Sequence, residues 1–264
     1  MNHLEQFLGG DWQIRPAGGA TGEAYIAEQG EQKIFIKRNS SPFLAVLSAE
    51  GIVPKLLWTK RLENGDVITA QQWVDGRELK ASDMNRHDVA RLLAKIHRSR
   101  DLLEMFKRMG NTPLKPEDIL YDIQKRCEAL IQSDEEMNRA LQWLEENRPV
   151  YDVQEFVVCH ADVNHNNWIE CTINGKDDLY LIDWDGSQVA DPALDLAPLL
   201  YLYIPSGDWH SWMQAYGLEL NDALLMKMRW YMMALILENI VWCEKRQRST
   251  ERQEWTKKLR ELLQ

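Results

Sequence analysis

Two short apolar runs, each ending in a cluster of polar side chains, constrain this chain more than any other feature. The run 156–159 leads into His160, Asp162 and Asn167, and the run 179–182 delivers Asp183, Trp184 and Asp185. A brief apolar stretch bounded by turn residues is the pattern of a buried strand. A loop that leaves such a strand starts from a rigid support, which suits side chains that must be held in place for chemistry. Asn167 stands five places after Asp162. A carboxylate able to take a proton from a hydroxyl, together with an amide oxygen and a second carboxylate suited to a hard divalent cation, is the set that phosphoryl transfer from ATP requires.

The chain ahead of these motifs reads as strands joined by turns. Strands are expected over 11–16, 23–28, 33–37, 55–60 and 67–74, with a helix over 43–50 and a hairpin turn at Asn64-Gly65. Between the first two strands lies a glycine-rich loop, Gly18, Gly19, Ala20, Thr21 and Gly22. It is either a plain hairpin turn or a loop whose backbone N–H groups approach phosphates, since glycine leaves no side chain in the way. Lys37 ends the run Ile34, Phe35, Ile36. It is either a solvated surface lysine or an ammonium for the nucleotide's α- and β-phosphates, with Glu50 as its carboxylate partner.

From Ser82 the period becomes helical, with Val89, Leu92, Leu93 and Ile96 on one face and His97 packed beside them. Further helices are expected over 118–132 and 134–147. Strands are expected over 154–159, 167–173 and 178–182, with a turn at Asn174-Gly175. From Asp191 on the pattern is helical, and 223–243 is apolar nearly all round, so it should be buried.

Composition narrows the partners. The net charge is −10, from 41 acidic against 31 basic residues. That leaves no basic excess to neutralise a nucleic-acid backbone. The four cysteines, Cys127, Cys159, Cys171 and Cys243, lie far apart without CxxC spacing. This argues against a zinc site or a disulfide framework and fits reduced thiols in a cytoplasmic protein. No apolar run is long enough to span a bilayer, so no membrane insertion is expected.

A lone Asp-x-x-x-x-Asn is common in turns by chance. Here four features occur in one order: a glycine-rich hairpin, a strand lysine, His160-x-Asp162-x-x-x-x-Asn167, and Ile182-Asp183-x-Asp185. On these motifs the chain resembles the aminoglycoside phosphotransferase and choline kinase family, whose fold is protein-kinase-like. The resemblance departs from protein kinases where Ala161 replaces the catalytic-loop arginine and Trp184-Asp185 replaces Phe-Gly. It also lacks a long activation loop between Asp185 and Asp191, which favours a small-molecule acceptor over a peptide. Pro54 to Trp58, Asp83 to Arg86, Leu93 to Arg98, His160 to Val163 and Asn167-Trp168 are similar to a Gram-positive bacterial branch described as ribose/2-deoxyribose kinases that also act as cell-cycle regulators.

The resemblance implies an α+β, two-lobed architecture: a small antiparallel-sheet lobe over 1–73 that binds nucleotide, and a larger, mainly helical lobe over 74–264. It implies ATP and Mg²⁺ as cofactors, Asp162 as the base, and Asn167, Asp183 and Asp185 as metal ligands. The segment 71–74 would link the lobes. There Gln72, Trp73 and Val74 would border an adenine, although Trp73 also fits as a buried edge-strand residue. His160 braces the catalytic loop, and one of Asp191 and Asp195, with Asp195 preferred, pins its backbone. The acceptor, a pentose on this resemblance, would meet His165 and aromatics of the C-terminal region: Tyr201, Trp209, Trp230 and Trp242, among neighbours that include Tyr203, Trp212, Tyr216 and Tyr231. Asp208, Glu219 and Asp222 could form an acidic wall for a polycation. Choline, thiamine and aminoglycosides are the competing acceptors. A kinase-fold scaffold for division proteins, recruited to the division site, is the competing role.

Overall fold

The computed structural model describes residues 8, 11–17, 23–131, 134–173 and 175–264. The glycine-rich loop candidates Gly18, Gly19, Thr21 and Gly22 lie outside the described residues, as does Asn174. The chain forms two compact units, 1–79 with 166–185, and 80–165 with 186–264. The second stretch of the first unit was expected, from sequence, on the helical side of a divide at 73/74.

The first unit is built on a five-stranded antiparallel sheet in the order β1-β2-β3-β5-β4, made of β1 (Gln13–Pro16), β2 (Ala24–Gln29), β3 (Gln32–Arg38), β4 (Leu56–Arg61) and β5 (Val67–Gln72). Strand alternation puts Ala27, Ile34, Ile36, Ile68 and Ala70 into one buried cluster, against which Trp12, Ile14, Tyr25 and Trp58 pack. Helix α1 (Phe43–Ala49) lies between β3 and β4 in sequence and buries Phe43 and Leu47. A second, three-stranded sheet has the order β6-β8-β9, from β6 (Gly76–Glu78), β8 (Trp168–Ile173) and β9 (Lys176–Leu181). The pairing of β6 with β8 draws 166–185 into this unit. Gly76 is required there: a Cβ at that position would lie 2.5 Å from the Glu170 carbonyl oxygen.

The second unit is helical. It contains α2 (His87–Arg98), α3 (Arg100–Arg108), α4 (Pro116–Ile131), α5 (Glu135–Glu146), α6 (Ala193–Tyr203), α7 (Trp209–Tyr216), α8 (Asp222–Lys245) and α9 (Ser249–Leu263), and a short antiparallel pair of β7 (Val157–Cys159) with β10 (Gln188–Ala190). Helix α8 packs against α4, α5, α6 and α9. It buries residues on every side, among them Met228, Trp230, Met233, Leu237 and Ile240, as its unpatterned apolar sequence requires. Its start is fixed by Asn221, whose side chain accepts from the Leu224 N–H. The expected helix start at Ser82 is corrected: 81–85 is a 3₁₀ turn closed by Asp83 on the Lys80 N–H, and α2 begins at His87. The strand expected over 154–159 is shorter, because Asp152 caps a 3₁₀ turn over 153–155. Among the described residues no helix is long and apolar enough to cross a membrane.

Candidate functional site

In the first unit the β8–β9 hairpin gathers the cation-binding candidates. Trp168 pairs with Leu181, and the Ile182 N–H continues the ladder by donating to the Asn167 carbonyl at 2.8 Å. Asn167 and Asp183 therefore emerge from the same open end of one hairpin, where opposed residues lie roughly 5 Å apart. The Asn167 side chain is almost fully buried, whereas Asp183 and Asp185 are exposed. Asp183 adopts φ +65°, a left-handed conformation that costs an aspartate about 1–3 kcal/mol and is held only where neighbours dictate it. Trp184 supplies that restraint: its indole N–H donates to the Leu181 carbonyl at 2.7 Å and its ring meets Phe43 edge-on at 5.8 Å.

Lys37, at the end of β3, reaches the same two carboxylates. Its ammonium lies 2.8 Å from Asp185 Oδ2 and 3.5 Å from Asp183 Oδ1. The sequence pointed to Glu50 as the partner of Lys37; the contacts with Asp183 and Asp185 had no sequence signal, since 148 residues separate Lys37 from Asp185. Glu50 caps the C-terminus of α1. The donor set of Asn167, Asp183 and Asp185 is all oxygen, with two carboxylates already gathered about a cation, so it fits a hard divalent ion. At the end of β5 the Gln72 N–H is committed to the Lys55 carbonyl at 2.8 Å. Trp73 is half-buried, with Lys33 4.1 Å above its ring and its indole N–H on Asp75. Val74, which follows it, is half-buried too.

In the second unit the loop after β7 is fixed by a buried carboxylate. Asp195, fully buried in the first turn of α6, accepts the His160 N–H at 2.7 Å on one oxygen and the Ala161 N–H at 2.8 Å on the other. Ala161 is thereby held at φ +64°. Behind Asp195, His97 Nε2 lies 3.0 Å from its Oδ2, and His97 Nδ1 lies 2.7 Å from the Tyr216 hydroxyl. Burial pushes the Tyr216 phenol far above its ordinary range. His160 is fully buried, and its Nδ1 accepts the Asp162 N–H at 3.2 Å. The Asp162 side chain is exposed and is met by the Asn164 amide. Asp191 does a different job from Asp195: it is ion-paired with Lys227 at 2.6 Å.

His97, Cys159 and Asp195 form a buried triad close enough to suggest a metal. Both ring nitrogens of His97 are engaged, by Asp195 and by Tyr216, and burial raises the Cys159 thiol well above its usual range. Asp195 commits both oxygens to the backbone of the loop after β7.

The aromatic candidates divide. Tyr201 and Trp209 stack edge-on at 5.0 Å, and Trp209 donates to the Ile204 carbonyl at 2.9 Å. His165 meets Tyr203, not one of the preferred candidates, at 5.9 Å. Trp230 is corrected to a core residue: it is fully buried and its indole N–H donates to the Leu144 carbonyl at 2.9 Å. Trp242 lies twelve residues further along α8, about 18 Å away. There the Arg246 and Arg248 guanidiniums lie over its ring, at 4.4 Å and 4.7 Å from the centroid, so these two tryptophans do not line one small pocket. A sequence cannot separate a buried tryptophan from a pocket-lining one by residue type alone.

The sequence model of the phosphotransferase enzyme family, APH, matches residues 13–231. Among solved structures, the choline kinase LicA from Streptococcus pneumoniae superposes with a TM-score of 0.67 at 16% identity, covering 99% of this chain and 96% of its own. Aminoglycoside 2'-phosphotransferase-IIIa in its GDP complex gives a TM-score of 0.72 at 14% identity over 99% and 96%. Spectinomycin phosphotransferase with ADP and spectinomycin gives 0.62 at 16% identity over 96% and 92%. A sheet unit followed by helices, with Asp162, Asn167 and Asp183 at loop and hairpin ends, is the protein-kinase-like fold of these enzymes, and the chain belongs to the APH phosphotransferase enzyme family, which transfers phosphate from ATP to hydroxyl acceptors.

Proposed function

We propose that this small-molecule phosphotransferase acts on a pentose, ribose or 2-deoxyribose, with Asp162 as its catalytic base. The phosphoryl-transfer part of this reading is supported by one observation: Asn167 and Asp183 leave the same hairpin end, where Lys37 already joins Asp183 and Asp185. In the reaction Asp162 accepts the proton of the acceptor hydroxyl as the new O–P bond forms, and the γ-phosphorus bond to the bridging oxygen breaks to release ADP. Lys37 binds the α- and β-phosphates, with Glu50 as a further carboxylate for it. Residues 1–73 serve as the nucleotide-holding lobe, where the Trp73 and Val74 backbone would read an adenine edge, and 74–264 carry the catalytic loop and acceptor pocket. Asn167, Asp183 and Asp185 would hold Mg²⁺, which when bound neutralises phosphate charge.

An acceptor other than a polycation is supported by two of the three acidic candidates, the third, Glu219, being exposed. Asp208 accepts from the Asn85 amide at 2.8 Å, and Asp222 opens α8, where its charge complements the helix N-terminus. A polycation would want a dense wall of uncommitted carboxylates. The pentose itself, and the link to cell-cycle control that accompanies it, rest on the motifs around His160 and Asn167. The test is ATP consumption with ribose, 2-deoxyribose, choline, thiamine and kanamycin, comparing wild type with Asp162→Ala and Asp183→Ala. Each variant should lose at least about a hundredfold in turnover, the order expected for removing a base or a metal ligand. Undiminished turnover in both rejects the site. Preference for choline or kanamycin rejects the pentose, and nucleotide binding without any turnover favours a scaffold.

A further inference from the structure

Helix α6 grips the catalytic loop at both of its own ends. In its first turn Asp195 fixes the loop's beginning through the His160 and Ala161 N–H groups. At its last residue, eight places and about 12 Å of helix further on, the Tyr203 hydroxyl donates to Asn164 Oδ1 at 3.0 Å. The Asn164 Nδ2 in turn donates to Asp162 Oδ1. The Tyr203 ring also lies against His165, at 5.9 Å with the planes 88° apart.

An asparagine amide has one accepting and one donating end. A donor on its oxygen therefore decides which end faces the next group. With the Tyr203 hydroxyl on Oδ1, the N–H₂ end is turned to Asp162, and rotation of that carboxylate about its own axis is restricted. Burial raises the Tyr203 phenol above its ordinary range, and the charge of Asp162 adds to the effect while a hydrogen bond from the His165 backbone N–H to the phenol oxygen opposes it. The hydroxyl thus keeps its proton through neutral pH and remains a donor to Asn164.

We propose that Tyr203 and Asn164 are positioning residues for Asp162, acting in series: Tyr203 orients the Asn164 amide, and the amide orients the carboxylate toward the acceptor hydroxyl. The inference rests on the reading of Asp162 as the base. It adds to that reading two residues that the His-x-Asp-x-x-x-x-Asn pattern does not specify: Asn164, at one of its variable positions, and Tyr203, 39 residues further on in sequence. Both side chains can be altered without opening the core, because Asn164 is exposed and Tyr203→Phe keeps the ring against His165.

The test is a double-mutant cycle on Asn164→Ala and Tyr203→Phe, with Asp162→Asn as reference. Steady-state transfer from Mg·ATP to D-ribose is measured, with ATP hydrolysis to water in parallel so that the comparison does not depend on the acceptor. Asn164→Ala should lower kcat on the order of tenfold with the KM for ATP unchanged, as expected for a contact that matters in the transition state. Tyr203→Phe should lower kcat by the same factor or less. The double variant should be no slower than Asn164→Ala, because the two residues act through one contact. Wild-type kcat in Asn164→Ala, or losses that multiply in the double variant, overturns the serial pair. If Asp162→Asn is inactive while Asn164→Ala is unaffected, only this inference falls. If Asp162→Asn turns over at the wild-type rate, the base assignment falls with it.

Discussion

Asp195 carries more of the candidate site than any other single side chain. Both of its oxygens are engaged, by two consecutive backbone N–H groups and by His97, and it is completely shielded from water. Truncating it leaves buried donors on His160 and His97 without an acceptor, each about 1–3 kcal/mol. It also removes the restraint on the left-handed Ala161. Asp195→Ala should therefore destabilise the protein by about 3–5 kcal/mol in chemical denaturation. A loss below 1 kcal/mol would show that water or a side-chain shift replaces the carboxylate. At this scale the sequence exposed residue types and short spacings but not long-range partners. It placed Asp191 and Asp195 together as candidates to pin the loop, and geometry separates them, one to Lys227 and the other to the loop backbone. Tyr216, 119 residues from His97, and Asp185 as a contact of Lys37 leave no local pattern to read.

Elements were legible in proportion to their length and periodicity. Helix α2 shows its apolar face at Val89, Leu93 and Ile96, and α8 its all-round burial, because many residues repeat the same statement. The three-residue strands β6 and β10 repeat nothing and are defined only by their partners β8 and β7. One polar residue inside α8 has a consequence for stability. Burial raises the Glu238 carboxyl above its ordinary range, with Arg126 pulling it down and Asp122 reinforcing the rise. A carboxyl whose folded pKa lies above its unfolded value opposes folding once it is ionised. That penalty is fully present above the raised pKa and disappears as pH falls through it into the ordinary carboxylate range. Glu238→Gln should thus raise Tm at pH 7, and the difference from wild type should close in acid. A lower Tm for the variant at pH 7 would mean that attraction to Arg126 outweighs burial.

For the whole molecule, the chain crosses between its two compact units after Leu79, after His165 and after Asp185. Two of these crossings fall within or directly beside the candidate motifs, the first between Asp162 and Asn167 and the second next to Asp183 and Asp185. The excursion of 166–185 is invisible in sequence because it depends on the pairing of β6 with β8, and Gly76 with its neighbours carries no strand period. The division of labour that follows is testable by ligand-linked stability. Lys37, Asn167 and Asp183 belong to the first unit, Asp162 to the second. Mg·ADP that binds only the folded protein stabilises it by about 2.7 kcal/mol at a hundred times its Kd. For a chain of this size that is roughly 5–10 °C in Tm. Lys37→Ala and Asp183→Ala should lose most of that shift, since each removes a group proposed for the phosphates or the cation. Asp162→Asn should keep the full shift while losing turnover, because the role proposed for it, as base toward the acceptor hydroxyl, contributes nothing to holding ADP. An equal loss of shift in all three variants would place Asp162 among the nucleotide contacts, and an undiminished shift in Asp183→Ala would remove that residue from the cation site.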